Sequence, residues 1–235
     1  MNPQSEVSTQ FTLDFISGLV KPKSTILEVG CGKGELAAAL KKKGHNIVGI
    51  DTSDIAVSES QKAGIHAIKT NIEGLIETGF DVILFTRSLH HIQNLDFCLK
   101  VAKEKLNPGG IVIIEDFGFD LVDKITANWY QGLRNTLAQT AEKPEWVIPL
   151  SDALAAWKKQ HLSAHSLHTA GEMVTAVETV FGKVEVREEI PYLFRYFIGD
   201  NELTKKAVES IFAMETDLIG ATVINGIGLR MIARA

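Results

Sequence analysis

The stretch Thr25-Ile26-Leu27-Glu28-Val29-Gly30-Cys31-Gly32-Lys33-Gly34 sets a short apolar run directly against three alternating glycines. Residues 25–29 read as a buried strand, because aliphatic and β-branched side chains suit a pleated surface covered on both faces. The glycines break it, and Glu35 to Lys43 follows as a helix. Lys41, Lys42 and Lys43 fill its last turn, with Gly44 just beyond. Cations there complement the helix dipole and glycine supplies a positive φ, so the lysine run is read as a helix end rather than a phosphate site. Strand, glycine turn and helix in that order make a backbone-lined pocket of the kind that holds nucleotides or anions.

The alternation continues in both directions. Upstream, Val7, Phe11, Phe15 and Leu19 recur every fourth residue and predict an amphipathic first helix closed by Pro22. Downstream, Asn46–Ile50 reads as a strand ending at Asp51, and Ser53 as the cap of a helix over 54–63. Strands are expected at 67–69 and 81–85, then a helix from about Asn94 to Leu106. Asn107-Pro108-Gly109-Gly110 signals a turn before an unbroken apolar strand at 111–114. Five strands separated by helices predict an α/β fold with a mainly parallel, doubly wound, Rossmann-like sheet.

Beyond Phe117 the pattern changes. Residues 118–168 look mostly helical, hold Trp129, Trp146 and Trp157, and are read as a helical insertion over one edge of the sheet. Thr169-Ala170-Gly171-Glu172 opens a further helix as a capping box. Residues 184–190 alternate like a strand, a helix runs roughly from Glu202 to Leu218, and 228–233 is a seventh strand. Asn225-Gly226 fits either a tight hairpin or the turn into that strand. The expected organisation is a single domain over 1–235. It comprises a helical lid (1–23), a cofactor-binding half (24–117), the insertion (118–168) and a part completing the sheet (169–235).

Composition bounds the function. With 24 basic and 29 acidic side chains the formal net charge is −5, which argues against a broad nucleic-acid footprint built on clustered Lys and Arg. A chain 45% hydrophobic and 23% charged is not disordered throughout. Cys31 and Cys98 are too few for a disulfide framework or the usual thiolate metal site. His161, His165 and His168 have helical spacing, but the Thr169 cap places a helix end before the third, so no metal is expected. No apolar run approaches the roughly 18–20 residues that span a bilayer, and Met1–Gln10 lacks a signal-peptide core. A cytoplasmic protein without a membrane partner is expected.

Three features narrow the ligand. The glycines run G-x-G-x-G, with Glu35 where the dinucleotide fingerprint puts its third small residue, so a pyrophosphate cofactor is not matched. Glu28 stands two residues before the first glycine; a carboxylate fixed there repels pyrophosphate and attracts an ammonium or sulfonium. Asp51, at the end of the second strand, can accept two hydrogen bonds from a ribose diol. S-adenosylmethionine, a nucleoside with a cationic amino-acid arm, satisfies all three.

The sequence thereby resembles the class I S-adenosylmethionine-dependent methyltransferases, in their small-molecule branch. ILEVGCGKG (26–34) matches the first motif of that family and VGID (48–51) the second. Lys69-Thr70-Asn71-Ile72 falls where the family contacts adenine, with Asn71 in place of the usual acidic residue. FDVILFTRSLHHI (80–92) resembles the fourth-strand motif, and LNPGG (106–110) the turn before the fifth strand. The resemblance covers about residues 24–117. It implies a sheet of about seven strands, mostly parallel, with the last strand antiparallel. It also implies that Glu28, Gly30, Cys31, Gly32, Gly34, Asp51, Thr52, Asn71, Ile72 and Thr86 hold S-adenosylmethionine, and that the methyl group passes to a small-molecule acceptor.

Methyl transfer is an in-line displacement and needs a base only when the acceptor carries a proton. Candidate bases lie at the carboxyl edge of the sheet, where ligands bind: His91, His90 and Asp116. Glu115 is read as a structural partner and Arg87 as an anchor for an acidic acceptor. Tyr192, Arg195 and Tyr196 follow the sixth strand and are read as a packed aromatic cluster ahead of the alternative, a wall of the acceptor pocket. Cys31 is a small filler whose place near a helix N-terminus would acidify its thiol. Thr86-Arg87-Ser88-Leu89 stands where family members acting on nucleic-acid bases carry a Pro-Pro-aromatic motif, so a small acceptor is expected and nucleic acid is not. Two other readings remain: a non-catalytic S-adenosylmethionine-binding module and, disfavoured by Glu28 and the glycine spacing, an NAD(P)-dependent oxidoreductase.

Overall fold

The computed structural model describes residues 2–138, 147–162, 167–197 and 203–235. In chain order the elements are α1 (Pro3–Ser17), β1 (Thr25–Val29), α2 (Glu35–Lys42), β2 (Asn46–Asp51), α3 (Asp54–Lys62), β3 (His66–Lys69) and β4 (Phe80–Thr86). Then come α4 (Leu95–Lys105), β5 (Leu106–Phe117), α5 (Lys124–Ala138), α6 (Ala153–Leu162), α7 (Ala170–Phe181), β6 (Val184–Ile190), α8 (Lys205–Gly220) and β7 (Gly228–Arg234). The chain divides into two compact units: residues 9–116, 171–187 and 230–235 form the sheet unit, and 1–8, 117–170 and 188–229 form the helical unit.

The seven strands run in the order β3-β2-β1-β4-β5-β7-β6. β1 pairs in parallel with β2 on one side and β4 on the other, so the strand order reverses at β1, where open sheets of this kind bind ligands. The register aligns Val29 with Ile50 and Phe85, and Phe85 with Ile114, which brings the carboxyl ends of four strands level. β5 and β7 run antiparallel: Ala235 donates its N–H to Gly110, and Arg230 reaches Glu115, so the numbers rise on one strand as they fall on the other. The expected α/β sheet with an antiparallel last strand is the one observed.

Burial explains why these segments are strands. On one face Ile26, Val82, Leu84, Ile111 and Ile113 pack with Ile16 of α1 and Leu36 and Leu40 of α2. Leu27, Ile50, Ile83, Phe85, Val112 and Ile114, at the alternate positions, are also buried. A strand covered on both faces must be apolar at successive positions, which is the pattern of β1, β4 and β5. Lys41 spends its charge at the helix end, donating from Nζ to Gly64 O at 2.7 Å. Ser53 caps α3 as expected, its hydroxyl accepting the Ala56 N–H at 3.3 Å.

One detail differs from the sequence reading, and one alternative it left open is decided. The Asn107-Pro108-Gly109-Gly110 turn lies inside β5 as a bulge: Leu106 pairs with Phe80 and Ile111 with Val82. Asn107 fastens it, donating from Nδ2 to Gly79 O (3.0 Å) and Asp81 Oδ1 (2.9 Å). Asn225-Gly226 is the lead into β7 rather than a hairpin, since α8 and not a strand precedes it, and Asn225 Nδ2 donates to Leu121 O.

The helical unit is organised by rings and one buried acid. Phe117 stacks on Tyr192 with centroids 4.9 Å apart, and Trp157 and Tyr196 meet edge to face at 5.8 Å. Glu215 of α8 is fully buried and accepts the N–H groups of Tyr192, Leu193 and Phe194 at 2.7, 2.8 and 2.7 Å. It thus caps the 3-10 turn Leu193–Tyr196. Tyr192, Arg195 and Tyr196 form the packed cluster expected of them, with Arg195 lying over the Tyr192 and Phe194 rings. Trp146 and His165 lie outside the described residues.

Candidate functional site

The glycine loop is shaped by contacts that exclude side chains. Gly30 and Cys31 both donate N–H bonds to Ile50 O (2.8 and 3.0 Å), folding the loop back over the end of β2. At Gly30 (φ +74°) a Cβ would stand 2.6 Å from the Ser88 Cβ, and at Gly34 (φ +76°) it would collide with the Ser60 hydroxyl. Ser88 holds its place by donating to Val29 O at 2.7 Å. Nothing in the sequence pattern singled out Ser88; its role exists only because β4 lies beside β1. Gly32 donates to Asp51 Oδ2 at 3.0 Å, and Ser53 N–H donates to Asp51 Oδ1 at 2.9 Å. Asp51 therefore links the loop to the start of α3, and each of its oxygens retains acceptor capacity.

Glu28 lies beneath the loop rather than in the open. It is 2% exposed, Oε1 accepts the Thr86 hydroxyl at 3.1 Å, and Oε2 has no hydrogen-bond partner among the described residues. Burial pushes its carboxyl up to about 7, and the Thr86 hydroxyl and the Arg87 charge offset only part of that. A buried, incompletely satisfied acid is costly unless something compensates it, which makes the site receptive to a nearby positive charge.

A cavity of about 780 Å³ opens at the carboxyl ends of β1, β2 and β4, within the range of pockets that enclose a nucleoside-sized ligand. Of the residues assigned to the cofactor from the sequence, Gly30, Asp51, Thr52, Asn71 and Ile72 line it. Glu28, Cys31, Gly32, Gly34 and Thr86 are not among its lining residues. Glu73, Arg87, Ser88, Phe97 and Cys98 are further wall residues. Arg87 adopts φ +58°, a left-handed backbone unusual for a residue with a side chain, while its N–H donates to Glu115 O at 2.8 Å.

Cys31 does not have the acidified thiol expected near a helix start. Its sulfur is packed where Gly49 leaves room, 2.8 Å from the position a Cβ would take, and burial pushes the thiol up to about 12. The three candidate bases also separate. Asp116 is fully buried and meets His90 twice, at Nδ1 (2.6 Å) and at the backbone N–H (3.2 Å). His90 is 5% exposed, so this pair joins the end of β5 to the turn after β4. His91 stacks on His90 with centroids 4.0 Å apart, and it is the exposed one, at the cavity wall. Glu115 is structural as read: it accepts Thr12 Oγ1 at 2.5 Å and Arg230 Nη2 at 2.6 Å, and Arg230 lies between the Phe11 and Phe15 rings. His161 is buried with Nδ1 2.9 Å from Trp157 O. Among the described residues no group of three or more His, Cys, Asp or Glu gathers as a metal site, and no helix is long and apolar enough to cross a membrane.

Residues 9–166 match the model of a family described as a methyltransferase domain. The chain belongs to that methyltransferase family. Among curated relatives it is similar to a ubiquinone biosynthesis O-methyltransferase of Azorhizobium caulinodans, 33% identical over 97 residues, covering 38% of this chain and 38% of that protein. Another of the same description, from Chelativorans sp., is 29% identical over 100 residues and again 38% of each chain. The matched stretch thus spans well under half the length of these relatives. Two solved structures share the fold over nearly the whole methyltransferase chain. One, an S-adenosylmethionine-dependent methyltransferase from Archaeoglobus fulgidus, has TM-score 0.59 and 15% identity, covering 98% of this chain and 94% of that one. The other, from Mesorhizobium loti, has TM-score 0.60 and 16% identity, covering 94% and 96%.

Proposed function

We propose that this chain transfers the methyl group of S-adenosylmethionine to a small-molecule acceptor by in-line displacement. The observation that carries the reading is the cavity at the carboxyl ends of β1, β2 and β4, where Gly30, Asp51, Asn71 and Ile72 meet. In this reading Asp51 uses its remaining acceptor capacity for the ribose hydroxyls, and the Gly30–Gly34 backbone receives the amino-acid arm. Glu28, beneath the loop, favours the positive charge of that arm. S-adenosylmethionine, when bound, supplies a methyl carbon made electrophilic by its sulfonium.

The protein's own part is to bind, orient and exclude water. His91 is the residue we assign to taking the acceptor's proton, because it is exposed at the cavity wall while His90 and Asp116 are bound to each other in the interior. An oxygen acceptor is the class to assay first, since the curated relatives are named for O-methylation. The acidic balance of the chain supports a small molecule over a polyanion. Its two thiols, free and buried, are in keeping with a reducing cytoplasm.

Titration calorimetry with S-adenosylmethionine and with NAD(P) tests the cofactor. Binding of the former is expected, and Asp51→Ala should weaken it by about 1–3 kcal/mol, as for lost hydrogen bonds at a charged acceptor. Tight NAD(P) binding with no S-adenosylmethionine binding would overturn the proposal. A labelled-methyl screen against phenols, alcohols and amines tests the acceptor; binding without turnover on every class would leave a cofactor-binding module instead.

A further inference from the structure

We propose that Arg87 sets how this chain discriminates between its charged cofactor and the neutral demethylated product, an inference that rests on the methyltransferase reading above. Arg87 has φ +58°, and a residue with a side chain persists in that region only where its surroundings over-determine it. Hydrogen bonds at and beside Arg87 do so here. The hydroxyl of the preceding Thr86 donates to Glu28 Oε1 at 3.1 Å, and the Arg87 N–H donates to Glu115 O at 2.8 Å. The hydroxyl of the following Ser88 donates to Val29 O at 2.7 Å. Glu28 and Val29 belong to β1 and Glu115 to β5, so both strands that flank β4 fix the chain as it leaves that strand. The exposed Arg87 is thereby held in the cavity wall, directly after the residue that bonds Glu28.

This position sets charges against each other. Glu28 favours a cation, yet the Arg87 charge is close enough to pull the Glu28 carboxyl down against the upward push of burial. Among the described residues that line the cavity, Arg87 is the one Lys or Arg, facing Asp51 and Glu73 as the carboxylates. S-adenosylmethionine brings a sulfonium, an ammonium and one carboxylate into this field. In the transfer an acceptor lone pair forms the new bond to the methyl carbon, and the S–C electron pair stays on sulfur. The sulfonium charge is thereby cancelled, and S-adenosylhomocysteine leaves with no net charge. Arg87 therefore repels the cofactor more than the product. A repulsion that weighs on the charged ground state and is relieved on the way to the transition state favours turnover. It also keeps S-adenosylhomocysteine competitive, so that occupancy of the site follows the ratio of product to cofactor. Arg87 acts on the cofactor in this account, in place of anchoring an acidic acceptor.

The test is calorimetric binding of S-adenosylmethionine and S-adenosylhomocysteine to wild type, Arg87→Gln and Arg87→Lys at pH 8. That pH lies above the value of about 7 at which Glu28 ionises, so its carboxylate is present in all three proteins. Arg87→Gln should bind S-adenosylmethionine about fivefold more tightly and S-adenosylhomocysteine within about twofold of wild type, the effect of one unit charge across a partly solvated cavity. Arg87→Lys keeps the charge and should keep the wild-type ratio of the two affinities. Salt at about 1 M should narrow the gap between wild type and Arg87→Gln, because a Debye length of about 3 Å screens the repulsion. Thermal unfolding of both variants checks that the fold is intact. An unchanged ratio in Arg87→Gln overturns this inference while leaving the methyltransferase reading in place. So does an equal weakening of both compounds, which would mean that the guanidinium bonds the amino-acid carboxylate they share. Failure of the wild-type chain to bind either compound overturns both.

Discussion

Replacing Glu28 by glutamine removes a buried acid whose two faces are unequally served, one by Thr86 and the other by no partner among the described residues. The carboxyl ionises at about 7 in the folded chain against 4.5 for an unperturbed group, burial being the main cause. Below pH 4.5 it is protonated both folded and unfolded, and the wild-type chain bears no penalty. Between pH 4.5 and 7 the unfolded chain releases the proton while the folded chain keeps it, so folding stability falls by about 1.4 kcal/mol per pH unit. Above pH 7 both forms are ionised and the accumulated loss, roughly 3 kcal/mol, stays constant. Glu28→Gln abolishes this slope. Urea unfolding without cofactor should therefore show the variant close to wild type at pH 4.5 and more stable by up to about 3 kcal/mol at pH 8. A positively charged ligand compensates the anion, so S-adenosylmethionine affinity should rise with pH between 5.5 and 7 in the wild-type chain and stay flat in the variant. A stability difference that does not change with pH, or a binding slope that survives in Glu28→Gln, would refute the argument.

The two histidines should behave oppositely. His90→Ala leaves the Asp116 carboxylate buried without its imidazole and should cost about 3–5 kcal/mol in denaturant unfolding. His91→Ala should change stability by less than about 0.5 kcal/mol, as for an exposed side chain, while slowing turnover and sparing cofactor binding. Normal turnover in His91→Ala would remove it as the base. In the helical unit, Glu215→Gln places an amine against one of three buried N–H donors and should cost about 2–3 kcal/mol, read as a lower urea midpoint; an unchanged midpoint would show that the cap contributes nothing.

Much of the sheet was legible because strands covered on both faces are forced to be apolar at consecutive positions, as at 82–85 and 111–114. Caps such as Ser53 were legible because the hydroxyl acts within three residues of its own position. Asn107-Pro108-Gly109-Gly110 misled in part: local turn chemistry is identical in a connection and in a bulge, and only the pairing of β5 with β4 separates them. The candidate bases could not be told apart for a similar reason. Adjacent histidines after a strand look equivalent in sequence, yet the Asp116 carboxylate on the neighbouring strand takes His90 into the interior and leaves His91 outside.

The sequence by itself determined the order of strands and helices, the glycine loop and the acidic positions at 28 and 51, since each follows from local pattern and backbone chemistry. Only the tertiary structure decided what those acids face. Glu28 became a buried group titrating near neutrality because α2, β4 and the loop close around it. Cys31 lost the reactivity its position suggested because Gly49 gives its sulfur a dry slot. Asn71 acquired a fixed donor direction because Gly74 folds back on it. Desolvation and hydrogen-bond direction depend on neighbours distant in the chain or on how a loop closes, and neither is written in the spacing of residues.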